Sequence, residues 1–201
     1  MNFWDSARYV IAILVIASFP PSLLLWLAIH PFAASWRRLG PVWTYAILGL
    51  PVAGYIAGVW LFRKTLLVLD LGTNIFTMIL AGIALGTAAL LKRSVVKQLK
   101  FAGLAGIPEL STGKYPGKLL TEGIYSRVRN PRYIEALLWV MAYALFANYL
   151  GAYIVVVLCL PLIYFVVRLE ERELRERFGT AHEEYCRRVP RFVPKPRPRE
   201  E

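Results

Sequence analysis

The chain carries little that could hold a metal or a disulfide framework. It has two cysteines, Cys159 and Cys186, and two histidines, His30 and His182, in 201 residues. Cys159 falls inside an apolar run and reads as an inert packing residue. Cys186 falls in a charged tail, and the histidines are far apart with no ligand partner at suitable spacing. Neither a metal site nor a bridged scaffold is therefore expected. Charge is also thin. Only 18% of residues are charged, against 57% hydrophobic, whereas soluble domains carry about 25% charged residues. An ordinary soluble domain is excluded on that ground, and no repeat or second, soluble domain is visible. The first apolar run begins beside Asp5 and Arg8, without a basic leader or a small-residue cleavage site, so no cleaved signal peptide is expected.

What the sequence does have is long uncharged stretches. Residues 7–34, 41–62 and 65–91 each supply the roughly 20 residues needed to cross a bilayer. Residues 133–147 and 149–169 form two more, joined by a turn at 148–151, and the first of these is short for a full span. The runs are continuously apolar rather than alternating, which favours helices over a barrel. The expected fold is an all-α integral membrane protein of about five transmembrane helices, ending in a helical hairpin. Residues 1–91 would carry three helices. Residues 92–201 would carry a loop, the hairpin and a C-terminal helix over about 169–188. Pro20-Pro21 should kink or break the first helix. Gly54 and Gly58, like Gly82 and Gly86, place small residues four apart. That permits close helix approach, within the monomer or in a weak dimer.

Charge sets the orientation. Residues 92–132 hold nine Lys/Arg against two Glu, and residues 168–201 hold ten against eight. The turn at 147–151 has no charge. Basic loops stay in the cytosol, so the polar segments and the C-terminus should face it. The net charge of +11 lies beside apolar spans, which points to anionic lipid headgroups rather than nucleic acid. The Gly- and Pro-containing stretch 103–117 reads as a cover or a connector. Pro190, Pro194, Pro196 and Pro198 should end the tail helix in an extended terminus. Asp70 and Asn74 share a face near the outer end of the third span and are either solvated or functional.

Two polar motifs flank the hairpin. Arg127, Arg129 and Arg132 surround Pro131, which suits a first helical turn because it needs no amide donor. Free amides and the helix dipole favour an anion there. On these residues alone, a basic collar for lipid phosphate is the simpler reading. Glu170 and Glu171 sit where the last apolar run ends. Adjacent helical residues point about 100° apart, so one can face the bundle and the other water. Glu173 and Glu176 read as a solvated helix face, with Glu173–Arg177 and Glu171–Arg175 as i,i+4 pairs.

Taken together, the motifs resemble the membrane-embedded methyltransferases that include isoprenylcysteine carboxyl methyltransferases and phosphatidylethanolamine N-methyltransferases. The matching residues are Lys118, Leu119, Thr121, Gly123, Tyr125, Arg129, Asn130, Pro131 and Tyr133. They continue after the hairpin with Glu170, Glu171, Leu174, Phe178, Gly179, Tyr185, Val189, Pro190, Phe192 and Pro194. The resemblance covers about residues 117–194. Asn130 replaces a frequent His, His182 replaces the first tail Tyr, Gly117 replaces a His, and Glu135 replaces a small Gly.

The resemblance implies S-adenosylmethionine as methyl donor in a cytosolic site. The implied cofactor-binding residues are Lys118, Leu119, Gly123, Tyr125, Arg129, Asn130, Pro131, Tyr133, Glu170 and Glu171. Arg129, Glu171 and Arg168 are the implied catalytic group. The acceptor would be an amphiphile arriving from the bilayer. An isoprenylcysteine carboxylate suits the Arg-rich rim, while Glu135 and His182 keep a phospholipid amine open. Two further readings remain. A sterol-type reductase using NADPH usually shows an Asn-Tyr-x-Gly-Glu string after the Pro, which Arg132-Tyr133-Ile134-Glu135 does not match. A non-catalytic lipid-binding protein is the other.

Overall fold

The computed structural model describes residues 2–104 and 118–194. The expected connector at 103–117 and the end of the proline-rich terminus lie largely outside those residues. The described chain is helical, without strands: α1 (Phe3–Ile29), α2 (Ala33–Leu66), α3 (Ile75–Leu104), α4 (Pro131–Ala147), α5 (Leu150–Phe178) and α6 (Thr180–Arg188).

Three continuous helical stretches are long and apolar enough to cross a membrane: Phe3–Leu66, Ile75–Gln98 and Leu150–Phe178. The first holds α1 and α2, joined by a 3₁₀ turn at His30–Phe32, and α2 is itself broken where Gly40 takes φ 78°. The third apolar run, expected at 65–91, is divided differently. α2 extends to Leu66 and α3 begins at Ile75, so Asp70 lies in the connecting loop and not on a helix face.

α1 passes continuously through Pro20 and Pro21, so of the kink or break expected there, the break does not occur. The physical reason lies on α2. Proline at position 20 leaves the carbonyl of Ile16 without its helical donor. Tyr55 OH donates to that oxygen at 2.9 Å and restores the missing bond.

The helices traverse one bundle in alternating directions. α2 returns beside α1, α3 and α4 pack against each other, and α1 packs on α5. The core lies along α1 and α5, with Ala12, Val15, Ile16 and Phe19 among Val156, Cys159, Ile163 and Val167. Fully buried Ala144, Ala147 and Ala152 allow the backbones to approach closely. Gly151 permits the tightest approach, because a side chain there would run into the carbonyl of Leu66. Gly54, Gly58, Gly82 and Gly86 instead face open space, so they do not serve packing inside the monomer. The outward surfaces of α2, α3 and α5 carry Trp43, Trp60, Phe62, Phe76 and Phe165 in the open. An apolar exterior of this extent suits contact with hydrocarbon.

One end of the bundle is fastened by Arg8, whose side chain is buried. It donates to the carbonyl of Ala147 at 3.0 Å and pairs with Asp70. Asn148, in the left-handed region at φ 54°, ends α4 and donates to Gly72 O at 2.8 Å. Leu71 N and Leu150 N complete the joint by bonding Asn148 O and Leu69 O. The start of α1, the 67–74 loop and the α4–α5 turn are thereby tied together.

Arg8→Ala and Asp70→Ala should each lower thermal stability in detergent. Because the Asp70 side chain is 40% exposed, a double-mutant cycle should give a coupling of about 1–2 kcal/mol rather than the larger loss of a fully buried pair. Additive effects would show that the two side chains do not support each other.

Candidate active site

The opposite end of the bundle is assembled from four separate pieces of chain: the 3₁₀ turn Gly123–Ser126, the start of α4, the end of α5 and the segment after α6. Gly123 adopts φ 58°, and a Cβ on it would stand 2.7 Å from Gln98 Nε2 of α3. The backbone conformation favours glycine here, while the Gln98 amide is the end of a flexible side chain that can give way. Tyr125 is buried. Burial, reinforced by Glu170 and Glu135 and opposed by Arg132, pushes its phenol up to about 12. Its carbonyl accepts from Tyr185 OH at 2.7 Å, which docks α6 on the turn.

The chain after α6 folds back as a strap. Arg129 N donates to Pro190 O at 2.9 Å and Asn130 N to Arg191 O at 3.2 Å. Glu171 closes the arrangement. Its carboxylate accepts from Asn130 Nδ2 at 3.0 Å. It also accepts from Arg191, through Nε at 3.1 Å and Nη2 at 2.6 Å. Arg129 Nη2 lies 3.3 Å away. Asn130 thus gives its side chain to Glu171 and makes no capping bond to α4. Pro131 occupies the first position of that helix as expected.

Glu170 turns the other way, as adjacent helical residues must. It accepts from Tyr133 OH at 2.6 Å and is only partly buried. Glu171 is the carboxylate engaged by cations, and Glu170 is the more open of the two. Arg129 Nε is buried and has no acceptor among the described residues. The same guanidinium lies beside the Cys186 thiol.

The remaining expected residues are less central. Lys118 is exposed and 3.9 Å from Glu122. Leu119 is half-buried beside it. Arg168 is exposed and donates to Tyr164 OH at 3.3 Å. Arg191 stacks on the same Tyr164 ring, 5.7 Å from its centroid.

Glu173 is not the solvated residue that its helical spacing suggests. It is buried. It accepts from Arg37 Nη2 at 2.6 Å and lies 2.9 Å from His30 Nδ1. The cause is the 3₁₀ turn, which brings His30 and Arg37 from the first third of the chain onto α5. No local spacing announces that contact. Arg191 was missed for a similar reason, since it stands between matched motif positions.

Beside this end runs a groove of about 660 Å³ between α1 and α4. Lys92, Arg132 and Glu135 stand at its polar end, and Leu14, Trp139 and Tyr143 lie farther along. Leu14 and Tyr143 are exposed on the outer surface, so the groove opens sideways between the helices. The indole N–H of Trp139 is buried without an acceptor among the described residues.

His182 is buried to 1% exposure, and Cys186 Sγ lies 3.7 Å from its ring nitrogens. Burial lowers its pKa, helped by Arg129 and Arg175 and opposed by Glu171 and Glu183. A depressed histidine binds its proton better when unfolded. Stability from this site is therefore complete above the unfolded value of 6.5 and is lost as pH falls below it, by at most about 1.4 kcal/mol per pH unit. Melting curves from pH 7.5 to 5 should show His182→Tyr losing less stability on the acid side than wild type. Identical acid-side slopes would mean that His182 is not the titrating group.

The model of the phospholipid methyltransferase family (PEMT) matches residues 76–181. The match runs from the start of α3 through the 3₁₀ turn, α4 and α5 to the first residues of α6, and so contains most of the polar cluster. With three helical stretches long and apolar enough to cross a membrane, the protein is a multi-pass integral membrane protein. The chain belongs to the phospholipid methyltransferase family.

Proposed function

We propose that the protein transfers a methyl group from S-adenosylmethionine to a lipid-like acceptor, at the cytosolic face of the membrane. The observation that carries this reading is the sharing of one helical turn by two sites. The first turn of α4 gives Tyr133 to Glu170 and gives Arg132 and Glu135 to the groove. A polar donor site and a sideways-opening apolar groove therefore meet at α4. Five membrane crossings fit the five alternating passages, with α4, at 17 residues, reaching only partway without its flanks. The basic residues around 92–132 and in the tail favour the cytosol for this end. Residues 92–201 would carry the donor chemistry, while α1 adds a wall of the groove.

The residues present fit the donor. Glu170, open and already hydrogen-bonded by Tyr133, suits an ammonium or ribose hydroxyls. The free Nε of Arg129 and the uncapped first turn of α4 suit a carboxylate. The donor brings a methyl group already activated on a sulfonium. The protein's part is to hold the acceptor in line and exclude water. Glu171 has its acceptor capacity taken by Arg129, Asn130 and Arg191. Its role is to fix the α4 start against α5 and the strap. Arg168 and Lys118 would act at the rim, where long flexible cations guide an anionic surface. The acceptor's tail would lie along Leu14 and Tyr143, with its head beside Lys92, Arg132 and Glu135.

Calorimetry in detergent should show binding of S-adenosylhomocysteine and none of NADPH. The reverse result would support the reductase. Glu170→Gln should weaken S-adenosylhomocysteine binding with little change in melting temperature. Glu171→Gln should lower the melting temperature as well, because it breaks up the arginine cluster. Equal binding and stability in both variants would remove the carboxylates from the site. In a series of acceptors with one head group, each added methylene should contribute up to about 0.8 kcal/mol until the groove is full. Equal rates for short and long tails would contradict entry through the groove.

A further inference from the structure

Residues 132, 135, 136, 139, 140 and 143 of α4 all line the groove. That is the spacing of a single helical face. On it stands Glu135, whose side chain is only 6% exposed. Among the described residues its one ion-pair partner is Lys92 Nζ of α3, at 3.3 Å. The contrast with Glu171 and Glu173 is sharp, since each of those is held by several groups from different elements. Glu135 is held by the tip of one flexible side chain that is itself 48% exposed.

A carboxylate inside an apolar groove is costly unless a cation stays beside it. Lys92 supplies that cation from the solvent side and can leave without unmaking the fold. An ammonium arriving through the groove can take its place with little net electrostatic change. An arriving carboxylate would instead meet Glu135 as a like charge in a poorly screened site. Arg132, at the same end of the groove, carries its guanidinium over the Trp26 ring, 5.1 Å from the centroid.

We propose that Glu135 is the specificity-determining residue for the acceptor, with Lys92 its exchangeable counter-ion. Glu135 selects amphiphiles with a cationic amine head over those with a carboxylate head: it pairs with the ammonium and takes one of its protons, the freed nitrogen lone pair forms the bond to the donor's methyl group, and the methyl–sulfonium bond breaks to leave a neutral thioether. This rests on the reading of the groove as the acceptor's path. Glu135 lies outside the two polar motifs, and nothing in the donor site requires an acid at that position.

The test uses two amphiphiles with the same hydrocarbon tail, one ending in a primary amine and one in a carboxylate. Methyl transfer from S-adenosylmethionine is measured with full-length protein in detergent, and S-adenosylhomocysteine affinity is measured alongside. Wild type should favour the amine. Glu135→Gln, nearly isosteric, should lower kcat/KM for the amine about tenfold or more, the effect of losing one charged hydrogen bond. It should leave the carboxylate substrate unchanged or improved and S-adenosylhomocysteine affinity intact. Lys92→Met should lower KM for the amine by removing its competitor. An unchanged amine-to-carboxylate ratio in Glu135→Gln, or a wild-type preference for the carboxylate, would overturn the proposal while leaving the donor site standing. Loss of S-adenosylhomocysteine binding in wild type would instead bring down the methyltransferase reading itself.

Discussion

The carboxylate of Glu171 is the contact on which the polar end of the molecule depends. Three cationic or amide side chains from two distant segments converge on it: Arg129 and Asn130 before α4, and Arg191 after α6. A buried charge of this kind is tolerable only when its partners hold their geometry. The requirement works in both directions. Glu171 fixes where α4 begins, and the backbone bonds from Arg129 and Asn130 to Pro190 and Arg191 fix the strap that covers it. With Glu171 engaged in this joint, Glu170 stays the more open of the pair, and the Nε of Arg129 has no acceptor among the described residues. The 100° step of the helix turns the two adjacent glutamates to different partners, Glu171 to the arginine cluster and Glu170 to Tyr133.

The bundle is thus secured at both ends by charged groups, with apolar helices between. At the other end Arg8 and Asp70 join the first helix to two loops. In hydrocarbon, apolar packing alone discriminates weakly between helix arrangements. Polar joints at the two ends define which helix neighbours which. The side of the bundle between α1 and α4 is left open, and there the groove lies. Its polar end reaches the first turn of α4, which also reaches Glu170 through Tyr133. Tyr125 registers the proximity, since its phenol responds to both Glu170 and Glu135.

Much of this was legible in the sequence because it is local. The apolar runs, Pro131 at the head of α4, the turn at Asn148 and the pairing of the two motifs across the hairpin all depend on short spacings. The parts that escaped depend on contacts between distant segments. Glu173 reads as one member of an i,i+4 pair until His30 arrives from the 3₁₀ turn and Arg37 from the start of α2. Pro20 reads as a break until Tyr55 supplies the donor that proline lacks. Glu171 was identified as important, but its tie to Arg191 could not be read from either motif alone. The glycine pairs at 54/58 and 82/86 carry the opposite lesson. Small residues four apart permit close packing without requiring it, and here they face outward.

If the start of α4, the end of α5 and the strap after α6 form one donor site, a bound donor analogue should steady all three together. Hydrogen exchange of the protein in lipid nanodiscs, with and without S-adenosylhomocysteine, tests it most directly. Ligand should slow exchange together in the segments around 127–134 and 185–192, with the joint of Arg8 and Asp70 unaffected. Protection absent from both segments, or confined to the opposite end of the bundle, would contradict it.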